Sequence, residues 1–340
     1  MMEKPPPISS AGIAAVAAIL RSASRLVLTT HVNPDGDGIG SELALAAALR
    51  SPGKQISILN HNETPPQYTW LDPDRSIVGF SPEKHADLIR TADLIAVIDT
   101  NQPGRLRSLE PFVLKSPAKI LIIDHHLGPD PFANHYLIDE EATSTGEIVY
   151  RILTELGTFM TTEIATALYT AIMTDTGSFR YPRTDREIHR IAGELLAAGA
   201  DPSTAFSNVY EQWTPGRMRL LGEMLDSMRT TPDGRIAWVI CTREMFRTTG
   251  TSEVETDNFT TYPMSVRGVV LGILFNELTD GVKISFRSKG SIPVNLLAAE
   301  FGGGGHLNAA GARLFNRQLV DLIPEVVTAA EKYLSASRGT

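Results

Sequence analysis

A single cysteine, Cys241, in 340 residues excludes an intrachain disulfide and a zinc site built on thiolates. Its apolar neighbours predict a buried, structural thiol. Long hydrophobic runs are also missing: nothing approaches the ~20 apolar residues that cross a bilayer. The apolar patch Ala11–Leu20 has only Lys4 as a basic residue upstream, and no export cleavage site precedes the strand-like Arg25–Thr30. It reads as a first amphipathic helix, with the cytoplasm as the expected compartment. Positive charge is scarce, with 31 Lys and Arg against 39 Asp and Glu and a net charge of −8. That balance argues against a broad electrostatic grip on long nucleic acid. It leaves a short anionic substrate open, because bound cations can reverse the local sign. Repeats are absent, and the only biased tracts are Pro5–Pro7 and Gly302–Gly305.

Apolar residues, by contrast, are plentiful. They make up 42% of the chain against 21% charged, enough to bury a core, and the length favours two domains. In the first half, strand-like Arg25–Thr30, Gln55–Asn60, Leu94–Ile98 and Lys119–Ile123 alternate with helical stretches such as Ile39–Arg50. Strand–loop–helix repeats of this kind predict a parallel sheet covered by helices on both faces. Helical patterns follow at Gly146–Leu156, Thr162–Met173 and Arg186–Ala198. A second, smaller α/β pattern runs from Arg235–Cys241 through Val266–Asn276 and Lys283–Phe286 to a helix at Gln318–Leu334. Pro215-Gly216 and Pro232-Asp233-Gly234 punctuate the connection. The expected layout is therefore a first domain over 1–190, a helical linker over 191–232 and a second domain over 233–340.

Chemistry-bearing residues gather where the predicted strands end. His31-Val32-Asn33-Pro34-Asp35-Gly36-Asp37-Gly38 follows the first strand, Asp99 follows Leu94–Ile98, and Asp124-His125-His126 follows Lys119–Ile123. Asp175 closes an apolar helix. An Asp-Gly turn explains any one of these alone. It does not explain carboxylates and imidazoles at the carboxyl ends of three strands, where open α/β sheets place their sites. Asp35, Asp37, Asp99 and Asp175 brought together would have to protonate in part unless cations were present. Two divalent ions balance four carboxylates, with His31 and His125 as neutral ligands. A shared carboxylate would hold the ions ~3.5–4 Å apart, a spacing suited to activating water and clamping a phosphoryl oxygen. Mixed carboxylate and imidazole donors favour Mn²⁺ over an all-oxygen Mg²⁺ site, with Fe²⁺, Co²⁺ and Zn²⁺ remaining open.

In this order the motifs resemble those of the DHH phosphoesterases. His-x-Asn-Pro-Asp-Gly-Asp at 31–37, Asp99, Asp124-His125-His126 and Asp175 match its four motifs. Gly302-Gly303-Gly304-Gly305-His306, followed by Ala309-Ala310-Gly311, resembles the glycine-rich motif of the DHH-associated domain, and Phe286-Arg287-Ser288 resembles its partner motif. The compact length is similar to the branch that degrades very short oligonucleotides and dephosphorylates 3′-phosphoadenosine 5′-phosphate (pAp). The resemblance implies a fold with a parallel-sheet catalytic domain, a helical linker and a smaller α/β substrate-binding domain. It implies that His31, Asp35 and Asp99 hold one metal and that Asp37, Asp99, His125 and Asp175 hold the other, with Asp99 bridging. His126 and Asn33 would meet the scissile phosphate, and Asp124 would orient a ligand histidine. Arg287, Ser288, Gly303, Gly304, Gly305 and His306 would hold the nucleotide across a cleft, and a homodimer is implied.

The glycine run has a reading of its own, a nest of backbone N–H groups for an anion. Arg287 could fork onto phosphate oxygens as lysine cannot. The expected partners are short RNA or DNA oligonucleotides or small nucleotides, with no long nucleic acid and no membrane. A cyclic di-AMP or pApA phosphodiesterase would share the metal site. Polyphosphatases and pyrophosphatases carry a different second domain, and a non-catalytic nucleotide sensor would be expected to lack a ligand.

Overall fold

The computed structural model describes residues 9–336. Contacts divide the chain into two compact units, one ending at Gln212 and one beginning at Trp213. The segment 191–232, expected to be a linker, is shared between them. Ile191, Leu195 and Ala205 enter the core of the first unit, whereas Leu220 and Met224 enter that of the second.

The first unit runs α1 (Ser10–Ser22), β1 (Arg25–Thr29), α2 (Gly36–Leu49), β2 (Gln55–Asn60), β3 (Ile77–Gly79), α3 (Pro82–Thr91), β4 (Leu94–Ile98), α4 (Glu110–Val113), β5 (Lys119–Asp124) and β6 (His135–Ile138). Four helices complete it: α5 (Thr145–Glu155), α6 (Thr162–Asp175), α7 (Arg186–Ala197) and α8 (Pro202–Tyr210). The six strands are all parallel, in the order β3-β2-β1-β4-β5-β6. This is a doubly wound sheet, whose direction of growth reverses between β1 and β4. Side chains alternate across it: Leu26, Leu28, Ala96, Ile98, Leu121 and Ile123 face the cluster formed with α1, α2, α5 and α6. Val27, Ile95, Val97, Ile120 and Ile122 face the opposite cluster, which includes Ile89 and Val113. Burial on both faces explains why β4 reads as an unbroken apolar run.

The second unit comprises α9 (Pro215–Asp226), β7 (Arg229–Thr230), β8 (Ile236–Cys241), α10 (Arg243–Thr249), α11 (Thr261–Met264), β9 (Leu271–Leu278), β10 (Gly281–Ser288), α12 (Val294–Glu300), β11 (Gly304–His306), β12 (Ala309–Phe315) and α13 (Leu319–Ala336). Its mixed sheet has the order β11-β12-β10-β9-β8-β7, with only β8 and β9 parallel. Cys241 is buried, and desolvation pushes its thiol up to about 12, the behaviour of a structural cysteine. Among the described residues, no helix is long and apolar enough to cross a membrane.

Candidate metal centre

The centre lies at the carboxyl ends of the parallel strands, around the point where the strand order reverses. β1 delivers His31, β4 delivers Asp99, and β5 delivers Asp124, His125 and His126. Asp35 and Asp37 open α2, and Asp175 closes α6. α2 was expected to start at Ile39; it starts three residues earlier because the Asp35 side chain caps it, accepting from the N–H groups of Asp37 and Gly38. Asp37 is thereby fixed in the first helical turn. Close packing brings the helices together: a β-carbon at Gly40 would collide with the carbonyl oxygen of Ala167 on α6. At Gly146, on α5, it would collide with Ala171 on α6. Glycine is needed at both positions for α2, α5 and α6 to approach.

The donor atoms form two sets. His31 Nε2 lies 3.3 Å from Asp99 Oδ2 and 3.7 Å from Asp35 Oδ2. His125 Nε2 lies 3.7 Å from Asp99 Oδ1, 3.8 Å from Asp37 Oδ2 and 3.4 Å from Asp175 Oδ2. These gaps are long for hydrogen bonds. They are close to the separation of about 3.0–3.5 Å between neighbouring ligands that each sit ~2.1 Å from one ion. The two oxygens of Asp99 point to different sets. Asp99 itself is held at φ 61°, a left-handed conformation that is uncommon for a residue with a side chain, and its N–H donates to Ile123 O at 2.9 Å.

The protonation pattern suits cations. Burial, followed by the neighbouring carboxylates, pushes Asp37 and Asp99 well above the ordinary carboxylate range. Asp175 rises to about 7, chiefly through burial and then Asp35. Desolvation also opposes ionisation of Asp35, but hydrogen bonding and charge from His31 and the N–H groups of Gly38 and Asp37 leave it below the usual range. His125 is pushed down to about 4 by burial and by His126, so it stays a neutral imidazole able to ligate. Cations in both donor sets would relieve the crowded carboxylates, so the residues present fit a pair of divalent ions. Three groups, His31–Asp35–Asp99, Asp37–His125–Asp175 and Asp99–His125–His126, each bring three donors within 4.8 Å of one another.

Surrounding residues hold these donors in place. Thr145 N and Gly146 N, at the start of α5, donate to the two oxygens of Asp37 at 2.7 and 2.8 Å, and Thr145 Oγ1 donates to Asp99 Oδ1 at 2.9 Å. Asp124 grips His126 rather than His125: its Oδ1 lies 2.8 Å from His126 Nδ1 and also accepts from both histidine N–H groups. Among the described residues no hydrogen bond engages His126 Nε2, and the ring is 41% exposed, so it can face a ligand. Asn101 Nδ2 donates to His126 O at 2.8 Å. Asn33 is exposed, with φ 55° and its N–H on Asn62 Oδ1 at 2.8 Å. Thr145, Gly146 and Asn101 escaped the sequence reading. Ser144-Thr145-Gly146-Glu147 carries a capping-box pattern that marks the helix start, and Ser144 does accept from Glu147 N.

In the second unit, His306 on β11 pairs with Ala309 on β12, which pairs with Arg287 on β10. Directly opposed residues share a face, so Arg287 and His306 stand in one row about 10 Å apart. Ser288 Oγ is engaged, donating to Ile292 O and accepting from Asn308 Nδ2. Part of the glycine run is engaged in the backbone. Gly302 N and Gly303 N donate to Ala299 O and Ala298 O at the end of α12, and Gly304 and Gly305 belong to β11. A β-carbon at Gly305 would lie 2.5 Å from Ala309 O, so close pairing with β12 explains that glycine.

Comparison with known proteins matches residues 25–172 to the DHH family, N-terminal domain, and residues 241–336 to the DHHA1 domain. The bifunctional oligoribonuclease and PAP phosphatase NrnA of Thermus thermophilus is 32% identical across 91% of this chain and 90% of its own length. The protein of the same name from Bacillus subtilis is 28% identical across 88% of this chain and 92% of its own length. A solved structure of an exopolyphosphatase-related protein from Bacteroides fragilis has a TM-score of 0.90 and 34% identity, covering 97% of this chain and 98% of that one.

Proposed function

Since this chain belongs to the DHH family and is a phosphoesterase of that hydrolase class, we propose that it cleaves short oligonucleotides of about two to five units to mononucleotides and removes the 3′-phosphate of pAp. The observation that carries the two-metal part of this reading is the divergence of Asp99 Oδ1 and Oδ2 towards His125 and His31. His31, Asp35 and Asp99 would hold one ion, and Asp37, Asp99, His125 and Asp175 the other, with Mn²⁺ suited to the mixed donors. When bound, such ions supply a water of lowered pKa and polarise a phosphoryl oxygen.

The remaining groups belong to the chain itself. Asp124 accepts from His126 Nδ1 and fixes the ring, so that Nε2 of the imidazolium form would donate to a non-bridging phosphate oxygen. Asn33, on the strained turn after β1, offers an amide to the same group. Arg287 and His306 would take up an outer phosphate or ribose, supported by the row they share and by the exposure of His306. Ser288 supports this row through Asn308, and Gly303 and Gly305 let β11 lie close to β12. A cytoplasmic homodimer completes the proposal, the compartment being in keeping with a lone buried thiol.

The test is a panel of substrates with Mn²⁺: dinucleotides to twenty-mers, pAp, pApA and cyclic di-AMP. The reading expects the highest kcat/KM at two to five units and turnover of pAp. Activity that climbs with length, or that is confined to cyclic di-AMP, contradicts it.

A further inference from the structure

Immediately after Asp175 the chain does something that a helix stop does not require. One left-handed residue, usually glycine, is enough to end a helix. Here three follow in succession, Gly177 at φ 57°, Ser178 at φ 58° and Phe179 at φ 63°. Each non-glycine residue in that region costs about 1–2 kcal/mol, and such strain persists only where surroundings over-determine it. They do so here. Ser178 N donates to Met173 O at 2.8 Å, Phe179 N to Thr176 Oγ1 at 3.0 Å, and Arg180 N and Tyr181 N both to Thr176 O. The Phe179 ring is pinned between Tyr169 and His189, each 5.7 Å away between centroids.

The turn presents two side chains beside the metal centre, Tyr181 and Arg183. Tyr181 lays its ring on Gly177, where a β-carbon would sit 2.5 Å from Cε1 and Cζ, and yet the residue is 56% exposed. A large aromatic ring with one face on backbone and over half its surface in water is a ready stacking platform. Arg183 is exposed, and its Nη1 donates to Glu140 O at 2.7 Å, on the β6–α5 connection whose Ala142 O faces His125 Nδ1. Among the described residues its one side-chain hydrogen bond is this one, so most of its five N–H donors remain for a ligand. The rim and the centre are neighbours. Gly177 stands two residues after Asp175, and Arg183 binds the same connection that carries Ala142, whose oxygen lies 3.4 Å from His125 Nδ1.

We propose that the 177–183 rim is the nucleotide subsite of the catalytic unit, with the Tyr181 ring stacking on a base and Arg183 holding a phosphate that is not cleaved. This rests on the nucleotide-hydrolase reading above and deepens it: the substrate needs an aromatic base and a second phosphate a short distance from the scissile one.

The experiment compares Mn²⁺-loaded wild type, Tyr181→Ala, Tyr181→Phe and Arg183→Gln on pApA, on ApA lacking the 5′-phosphate, and on an abasic counterpart of pApA. Stacking on one base is worth ~1–3 kcal/mol, so Tyr181→Ala should raise KM for pApA about 5- to 150-fold, with a much smaller change in kcat. The abasic substrate should show no such rise, and Tyr181→Phe should restore pApA binding. Arg183→Gln should raise KM for pApA about tenfold or more and that for ApA little, as the loss of a charge-assisted hydrogen bond predicts. Equal effects on all three substrates, or none, overturn the subsite. If wild type turns over none of them, the nucleotide-hydrolase reading fails, and binding of fluorescent pApA decides the rim separately. Binding that Tyr181→Ala weakens keeps the subsite, whereas binding that is absent or unchanged removes it.

Discussion

At the scale of single residues, the site combines groups that are unfavourable without a ligand. Asp175 shows the cost in a form that titration can read. Its carboxyl, raised to about 7 by burial and then by Asp35, binds a proton more tightly in the folded chain than in the unfolded one. A raised pKa gives stability that is complete below the unfolded value of 3.8 and is lost as pH climbs through about 7. In chelator, Asp175→Asn should therefore be more stable than wild type at pH 8, and the difference should shrink towards pH 4. Thermal melts across that range check this; a constant difference contradicts it. The same variant should lose Mn²⁺ occupancy and most of its activity, a trade of function for stability. His126→Ala should lower kcat about 10²- to 10³-fold, as removal of one aligned donor commonly does, while metal content stays at the wild-type level. Loss of metal instead would make His126 a ligand.

At the scale of elements, α2 decides whether the donors meet. Gly40 on this helix could gain up to ~1 kcal/mol of helix propensity as Ala. Its β-carbon, however, would collide with the backbone oxygen of Ala167, which cannot move without moving α6. Overpacking of ~1–3 kcal/mol outweighs the gain. Gly40→Ala should thus lower the melting temperature and weaken Mn²⁺ binding together, because Asp37 and Asp175 ride on the two helices being forced apart. Calorimetry on the variant checks both.

The same helix carries Glu42, fully buried, with Asn60 Nδ2 on its Oε2 at 2.8 Å and Oε1 without a partner. Burial raises its pKa to about 8 from 4.5. Wild type should then lose stability relative to Glu42→Gln as pH rises from 4.5 to about 8, and parallel pH–stability curves would contradict that.

Elements also show what could be read in the chain. β1, β2, β4 and β5 were legible because strands buried on both faces are continuous apolar runs, and candidate donors follow β1, β4 and β5. β3, β6, β7 and β11 were not: they are two to four residues long and carry too little pattern to register. β9 begins at Leu271, not Val266, because 265–270 closes turns onto Tyr262, Pro263 and Arg235. The ligand types at the first sheet were visible as motifs. Thr145 and Gly146 were hidden because they act through backbone N–H groups and a hydroxyl, which no residue pattern reveals until α5 is seen to point at Asp37. The glycine run reads equally well as an anion nest or as a strand pressed against its neighbour; Gly304–His306 do pair with β12, and they remain exposed at the sheet edge.

At the scale of the whole molecule, an acidic chain of net charge −8 gathers four aspartates at one point of its parallel sheet. Ions that bind only the folded state stabilise it by mass action. Saturating Mn²⁺ should raise the melting temperature by several degrees, and chelator should reverse the rise. The acidic surface should keep long polyanions away, so added salt should improve turnover of a twenty-mer relative to a dinucleotide.

Titration of metal-free protein with Mn²⁺, followed by electron paramagnetic resonance, tests the shared carboxylate most directly. Two ions per chain held by Asp99 should give the broad spectrum of a spin-coupled pair, and Asp99→Ala should abolish that coupling together with turnover. One ion per chain, or two uncoupled ions in wild type, would contradict the bridging role on which the account depends.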